Sequence, residues 1–294
     1  MTDRRLVIFG EVLFDCFPDG TRVLGGAPFN VAWHSQAFGL NPLFISRTGE
    51  DAMGEDILAA MDKWGMDTSG MQKDAVHATG AVDVSIEQGN PAYHIVENSA
   101  WDYIQQSALP QVNKGGTLYH GSLALRNSVS ARCLEGLKQQ FSDSVFVDIN
   151  LRDPWWNKVQ VNTIMQAANW LKINDEELIS IVPQEKDIES KARFLLSTLA
   201  LELIIVTKGS AGAIAISLNE MASVKPEKTI NVIDTVGAGD AFCSVVLLGL
   251  DRGWSLNDTF LRAQQFASGV VGQHGAITQD MNFYSPFIEN WELS

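Results

Sequence analysis

The segment Asp234-Thr235-Val236-Gly237-Ala238-Gly239-Asp240-Ala241-Phe242 carries the strongest chemical signal in this 294-residue sequence. It lies between an apolar run, Ile230, Val232 and Ile233, and the apolar helix pattern Phe242, Val245, Val246, Leu248 and Leu250. Gly237 and Gly239 let the backbone turn with few side-chain obstacles. The free N–H groups of the helix that starts there converge on one spot, which suits a phosphoryl group with its spread negative charge. Asp240, in the first helical turn, stands beside that spot and can accept a proton from an attacking hydroxyl. The bland alternative is an ordinary helix start whose first-turn carboxylate is favoured by the helix dipole. No Lys-Ser or Lys-Thr follows the glycines, so the turn is not a P-loop. Phe242 stands where a dinucleotide fingerprint needs its third glycine.

Other patterns recur along the chain in a fixed order. They are Gly25-Gly26-Ala27-Pro28-Phe29-Asn30-Val31-Ala32, Arg47-Thr48-Gly49-Glu50-Asp51-Ala52-Met53-Gly54, Asp148-Ile149-Asn150-Leu151-Arg152, Asn174-Asp175-Glu176-Glu177 and Thr207-Lys208-Gly209-Ser210-Ala211-Gly212. Taken singly each has a plain reading. Asp15 suits a turn toward Pro18-Asp19-Gly20. Gly25-Gly26 suits a loop, and Asn30 a polar position early in a helix. Asn174 suits a helix N-cap that Glu177 completes.

As an ordered set these patterns resemble the ribokinase (PfkB-type) carbohydrate kinase family. Asp234–Asp240 matches its C-terminal D-T-x-G-A-G-D signature, and Gly25–Ala32 its N-terminal G-G-A-P-x-N-V-A signature in a fructokinase-like form. The resemblance implies an ATP-dependent sugar kinase that uses Mg2+, most simply a fructokinase. Ribose, 2-keto-3-deoxygluconate and tagatose are alternative sugars, and a catalytically silent binding homologue is an alternative class. It implies that Asp240 deprotonates the sugar hydroxyl and that the N–H groups of Gly237, Ala238 and Gly239 form an anion hole. It places Asp15, Gly25, Gly26 and Asn30 on the sugar. Arg152, Lys172 and Lys208 are candidate cationic partners of phosphate, Arg152 within a D-x-N-x-R pattern of family sugar kinases. Asn174, Thr207, Lys208, Gly209 and Gly212 would lie along the nucleotide, and Glu177 would help order magnesium. A potassium requirement is common in the family, with the carbonyls of Asp234 and Val236 as its candidate site.

Bulk properties agree with a small-molecule substrate. The formal net charge is −14, so no positive field exists for nucleic acid. Hydrophobic residues make up 46% and charged residues 19% of the chain, ordinary values for a globular protein. No apolar stretch is long enough to span a bilayer. The N-terminal apolar run is broken by Glu11 and Asp15, which predicts a cytoplasmic protein without a secretory signal. Cys16, Cys133 and Cys243 form no metal-like spacing and read as buried thiols. His34, His77, His94, His120 and His274 show no ligand spacing. Trp155-Trp156 suits either core filling or stacking on a base.

The elements that must position these residues alternate. Leu6–Phe9 predicts a buried strand and Pro28–Phe38 a helix stopped by Gly39. Ile57, Leu58, Met61 and Trp64 have helical spacing before Gly65. Residues 80–96 predict a β-hairpin turning at Gly89-Asn90, paired with a strand within Val12–Leu24 into a small separate sheet. Strands follow at Thr117–Gly121, Val145–Ile149, Leu171–Ile173, Leu203–Val206 and Ala213–Ile216, the last of opposite sense. Helices are predicted at Val129–Phe141, Ile164–Trp170, Asp187–Leu199, Ala238–Leu250 and Leu256–Val271. The alternation predicts one α/β unit, and the resemblance makes it a ribokinase-like three-layer sandwich: a mostly parallel sheet with helices on both faces. A lid of about residues 11–25 and 75–100 completes the single domain, 1–294, and its open sheet could pair with a second copy.

Overall fold

The computed structural model describes residues 5–87, 90–112, 114–141, 143–226 and 232–293. The predicted turn residue Gly89 and Ile230 of the apolar run lie outside them.

The chain starts with β1 (Arg5–Phe9), β2 (Leu13–Cys16), β3 (Arg22–Gly25), α1 (Ala27–Ala37), β4 (Leu43–Gly49), α2 (Ala52–Lys63) and β5 (Met71–Asp74). It continues through β6 (Gly80–Glu87), β7 (Asn90–Ile95), β8 (Gly116–His120), α3 (Ser128–Phe141), β9 (Ser144–Asp148), α4 (Lys158–Gln166), β10 (Trp170–Asn174) and α5 (Asp175–Ile181). It ends with α6 (Ile188–Thr198), β11 (Leu203–Thr207), β12 (Ala213–Ser217), β13 (Met221–Val224), α7 (Ala238–Arg252), α8 (Leu256–Val271) and α9 (Met281–Asn290).

Nine strands form one sheet in the order β13-β12-β11-β10-β9-β8-β1-β4-β5. The pairs from β11 through β5 are parallel, and β12 and β13 join antiparallel. Alternate residues of each strand face opposite layers, as the pleat requires. Leu6 and Ile8 of β1 join a core built from α1, α2, α7, α8 and α9. Val7 and Phe9 join a second core built from α3, α4, α5 and α6. Burial on both faces explains why β1, β9 and β11 read as continuous apolar runs. The predicted three-layer sandwich is the fold observed.

The small sheet has the order β3-β2-β6-β7. Here β2 pairs β6 parallel, and the other two pairings are antiparallel. Val82 and Val84 are buried while Asp83 and Ser85 are exposed, the alternation of a sheet wetted on one face. The predicted strand within 12–24 is two strands, folded back at the Phe17–Thr21 turn.

One predicted helix is displaced. Residues 164–170 were expected to be helical, but α4 runs over Lys158–Gln166 and Trp170 already begins β10. Asn157 caps α4 by accepting from the Gln160 amide at 3.0 Å, and this local signal outweighs the apolar pattern that follows. The apolar pattern gave no sign of β4, β5, β13 or α9. Among the described residues no helix is long and apolar enough to cross a membrane.

Candidate active site

The parallel strands end along one crest. Phe9 of β1 pairs His120 of β8, Asp148 of β9 lies opposite Lys172 of β10, and Asn174 pairs Thr207 of β11. Ligands on open parallel sheets bind beyond such carboxyl ends. The start of α7 lies at this crest: a side chain built at Gly239 would come within 3.6 Å of Lys172 Nζ.

Gly237 caps α7 with φ 78°, a left-handed conformation that an L side chain resists. A Cβ there would also lie 2.6 Å from Ala276 Cα, so the turn fits only as glycine. The Val236 amide donates to Asp234 Oδ1 at 2.9 Å, and the Gly275 amide to Asp234 Oδ2 at 3.1 Å. Asp234 thus clips the turn to the segment around Gly275. The Ala238 amide makes a long, 3.4 Å contact with Thr235 O. The first-turn amides of α7 lack intrahelical partners, as at any helix start.

Asp240 is 8% exposed. Asn30, in the first turn of α1, donates from Nδ2 to Asp240 Oδ2 at 2.8 Å across 210 residues of sequence. Burial is the largest influence on this carboxyl and pushes it up to about 6. The Asn30 hydrogen bond opposes the rise, Asp148 adds to it, and Lys172 and Arg152 pull downward. The result is a base that is ionised at neutral pH yet close enough to that range to take up a proton.

Beneath it lies a buried polar hub. Lys172 Nζ donates to both oxygens of Asp148 at 2.8 and 2.9 Å. The Tyr119 hydroxyl and Cys243 thiol each reach Asp148 Oδ2 at 3.3 Å. Burial alone would lower the Lys172 ammonium, but Asp148 overrides it and the group is raised. Lys172 is therefore a fixed charge close to the glycine turn that starts α7. Its pairing with Asp148 was not visible in the sequence, which offered it only as a candidate cationic partner of phosphate.

Glu11 was missed by sequence reasoning, which used it only as a break in an apolar run. It lies two residues beyond the end of β1, is 4% exposed, and its Oε2 has no hydrogen-bond partner among the described residues. Burial pushes it up to about 7, against a backbone hydrogen bond and the field of Arg152, while Asp240 adds repulsion and Arg126 pulls down. A lone Glu two residues beyond a buried strand end was the available signal. Arg126 was also missed. Its guanidinium donates from Nε and Nη2 to Asp102 at 2.7 Å and lies between the Trp101 and Trp155 rings, 4.2 and 4.5 Å from their centroids. Trp155 thus stacks on an arginine, and Trp156 Nε1 donates to Asp153 Oδ1 at 2.8 Å.

The remaining predicted residues are distributed as follows. Asp15, in β2, is half-buried and raised to about 6 by burial, and a Cβ on Gly25 would lie 3.8 Å from its Oδ2. Gly26 has φ 110°, and a Cβ there would come within 2.7 Å of Glu11 O. This close approach joins the small sheet, the end of β1 and the start of α1. Arg152 is exposed, and its field reaches both Asp240 and Glu11. Asn174 and Glu177 form a reciprocal capping box: Asn174 Oδ1 accepts the Glu177 amide at 2.8 Å and Glu177 Oε2 the Asn174 amide at 3.0 Å. Glu177 Oε1 accepts the Leu151 amide at 2.6 Å. Thr207 ends β11, and Lys208–Gly212 form a turn closed by Lys208 N–H donating to Gly212 O at 2.7 Å. Gly209 and Gly212 both have positive φ, 50° and 90°. This turn stands two strands away from β9, farther along the crest than Asp148.

Comparison with known proteins follows the same outline. The chain is 31% identical over 261 residues to a fructokinase of Klebsiella pneumoniae, covering 84% of each chain. It resembles the crystal structure of a double mutant of the Vibrio cholerae O395 fructokinase, solved with fructose, ADP and potassium ion bound. The TM-score is 0.81 at 26% identity, over 96% of this chain and 97% of that one. A fructokinase of Xylella fastidiosa with bound ATP shares the fold, with a TM-score of 0.86 at 19% identity over 98% and 99% of the two chains. A family description, pfkB family carbohydrate kinase, matches residues 6–282, from β1 into α9, and so takes in both the strand crest and the glycine turn. The chain belongs to the pfkB family of carbohydrate kinases.

Proposed function

We propose that this sugar kinase is a fructokinase, transferring the γ-phosphoryl group of Mg-ATP to a hydroxyl of D-fructose. The observation that carries the mechanism is the Asn30–Asp240 hydrogen bond, which fixes a buried, ionisable carboxylate beside the Gly237 turn. The choice of fructose rests on the relatives: the Klebsiella protein is named a fructokinase, and the V. cholerae structure holds fructose and ADP.

In this reading the γ-phosphoryl group rests on the amides at Gly237, Ala238 and Gly239. The sugar hydroxyl oxygen attacks phosphorus in line, the bond to the ADP oxygen breaks, and the hydroxyl proton passes to Asp240. Asp15, Gly25, Gly26 and Asn30 hold the sugar. Arg152 meets the transferring phosphate, with Lys172 as a fixed positive charge below. Asn174, Thr207, Lys208, Gly209 and Gly212 lie along the nucleotide. No group of three His, Cys, Asp or Glu side chains that could hold a metal occurs among the described residues. That suits magnesium arriving on the nucleotide, which keeps several waters and needs few protein carboxylates. Both Glu177 oxygens already accept backbone amides, so its part is to order those waters. A potassium ion, as in the V. cholerae structure, would sit by the carbonyls of Asp234 and Val236.

The small sheet, with residues of 11–25 and 75–100, acts as a lid that excludes water from the transfer. Its edge strands β3 and β7 are where a second copy could pair in a homodimer. A cytoplasmic location fits a kinase drawing on ATP.

The test is ADP release with a panel of fructose, ribose, tagatose and 2-keto-3-deoxygluconate, with and without a magnesium chelator. The highest kcat/KM should fall on fructose and vanish with the chelator. A clear preference for another sugar overturns the fructokinase reading. ADP release that no sugar stimulates overturns the kinase mechanism.

A further inference from the structure

Helix α1 carries two polar side chains on one stripe. Asn30 and His34 are four residues apart and so lie one above the other. Asn30 reaches Asp240. His34 is fully buried and reaches elsewhere: Nε2 lies 3.0 Å from Ala276 O, and Nδ1 lies 2.9 Å from the Tyr284 hydroxyl. A carbonyl oxygen only accepts, so Nε2 carries the proton. Nδ1 of the neutral ring then accepts from the Tyr284 O–H. Burial lowers this imidazole to about 3, against the Ala276 hydrogen bond, so the ring stays neutral through the physiological range. The edge of the His34 ring also packs against Phe266 of α8, with centroids 5.0 Å apart.

Ala276 is not an arbitrary anchor. It is the residue against which Gly237 turns, its Cα 2.6 Å from where a Gly237 side chain would begin. The same segment is held at Gly275 by Asp234 and at Thr278 by Trp33, whose Nε1 donates to Thr278 O at 2.9 Å. One rigid helix thus grips the carboxylate with Asn30 and the wall of the anion-binding turn with His34.

We propose that His34 is a positioning residue for phosphoryl transfer: through Ala276 it sets the wall of the Gly237 turn in register with Asp240, which Asn30 holds from the same helix. This rests on the kinase mechanism given above. It adds that the register between base and anion site is set by α1, so its loss falls on turnover more than on binding either substrate.

The experiment compares His34→Leu, His34→Gln and Tyr284→Phe with the unchanged chain, measuring kcat, both KM values and Tm on whichever sugar of the panel is turned over. A displacement of about 1 Å between reacting groups can cost up to ~100-fold in rate, so His34→Leu should lower kcat at least ~10-fold while both KM values stay within ~3-fold. The amide of His34→Gln can donate to Ala276 O and accept from Tyr284, and it should restore kcat to within ~3-fold of the unchanged chain. A folded His34→Leu enzyme with unaltered kcat and a lowered Tm overturns the proposal, since His34 would then be structural only. A His34→Gln enzyme no better than His34→Leu also overturns it. If His34→Leu does not fold, Tyr284→Phe decides, because it keeps the ring packing and removes the hydroxyl that fixes the imidazole. A kcat loss there with unchanged KM values supports the register, and an unchanged kcat refutes it. Turnover of a sugar other than fructose sinks only the fructokinase reading. Full activity of Asp240→Asn in the same assay sinks the mechanism instead.

Discussion

Replacing Asp240 with asparagine should make the protein sturdier and idle at once. Burial lifts the Asp240 carboxyl from 3.8 to about 6, a displacement of about 2 units. Each unit corresponds to about 1.4 kcal/mol, so ionising this group in the folded chain costs about 3 kcal/mol relative to the unfolded chain. The sign follows from the direction. A carboxyl whose folded value is raised stabilises the fold at low pH, and that contribution is lost as pH rises through about 6. Asparagine never ionises, and its amide oxygen can still accept from Asn30 Nδ2. Asp240→Asn should therefore match the unchanged chain near pH 4 and gain on it between pH 4 and 6. It should hold a lead of about 3 kcal/mol at pH 8, or roughly 5 °C in Tm given an unfolding entropy of about 0.6 kcal/mol/K for 294 residues. Turnover should fall by about 10²- to 10⁴-fold, the usual contribution of a general base. Thermal unfolding of both proteins from pH 4 to 8, alongside ADP release, measures both effects. A stability difference that stays flat with pH would refute the buried-carboxylate argument. A fully active variant would remove Asp240 from the chemistry.

Asn30→Leu deletes the hydrogen bond that favours the ionised form. A bond to a charged group is worth about 1.5–3 kcal/mol, so the acid limb of the kcat/KM profile should move up from about 6 by about 1–2 units. Glu11→Gln removes a carboxyl raised to about 7, and it should stabilise the protein progressively as pH rises from about 4.5 to 7, by up to about 3 kcal/mol, as read from denaturant titrations at several pH values. Gly237→Ala forces a side chain into left-handed backbone and onto Ala276, and should cost about 1–3 kcal/mol in stability, with kcat falling at least ~10-fold in the same assay.

The parts of the site that were legible in the sequence are those whose physics is local. The Gly237–Asp240 turn could be read because glycines before an apolar helix dictate a turn and an exposed set of amides, whatever lies around them. The capping box of Asn174 and Glu177 was legible for the same reason, and the structure shows that geometry directly. Glu11 was not legible. Its raised carboxyl comes from surroundings contributed by Asp240, Arg152 and Arg126, which are remote in sequence. Lys172 was read as a candidate cationic partner of phosphate, and nothing local reveals that Asp148, on the neighbouring strand, pairs with it. The fold class followed from alternation along the chain. The start of α4 did not, because Asn157 sets it from outside the apolar pattern. His34 showed no ligand spacing, and the role proposed for it depends on the meeting of α1, α9 and the Ala276 segment, which are remote in sequence.

The three thiols are placed unequally. Cys133 and Cys243 are buried, whereas Cys16 is partly exposed on β2, next to Asp15. Burial and the nearby Asp83 raise the Cys16 thiol, so it reacts sluggishly at neutral pH and better in mildly alkaline buffer. A bulky maleimide dye should therefore find one address on the native chain. That dye would ride on the small sheet, and its brightness with and without sugar would test the proposed lid closure with no engineered cysteine.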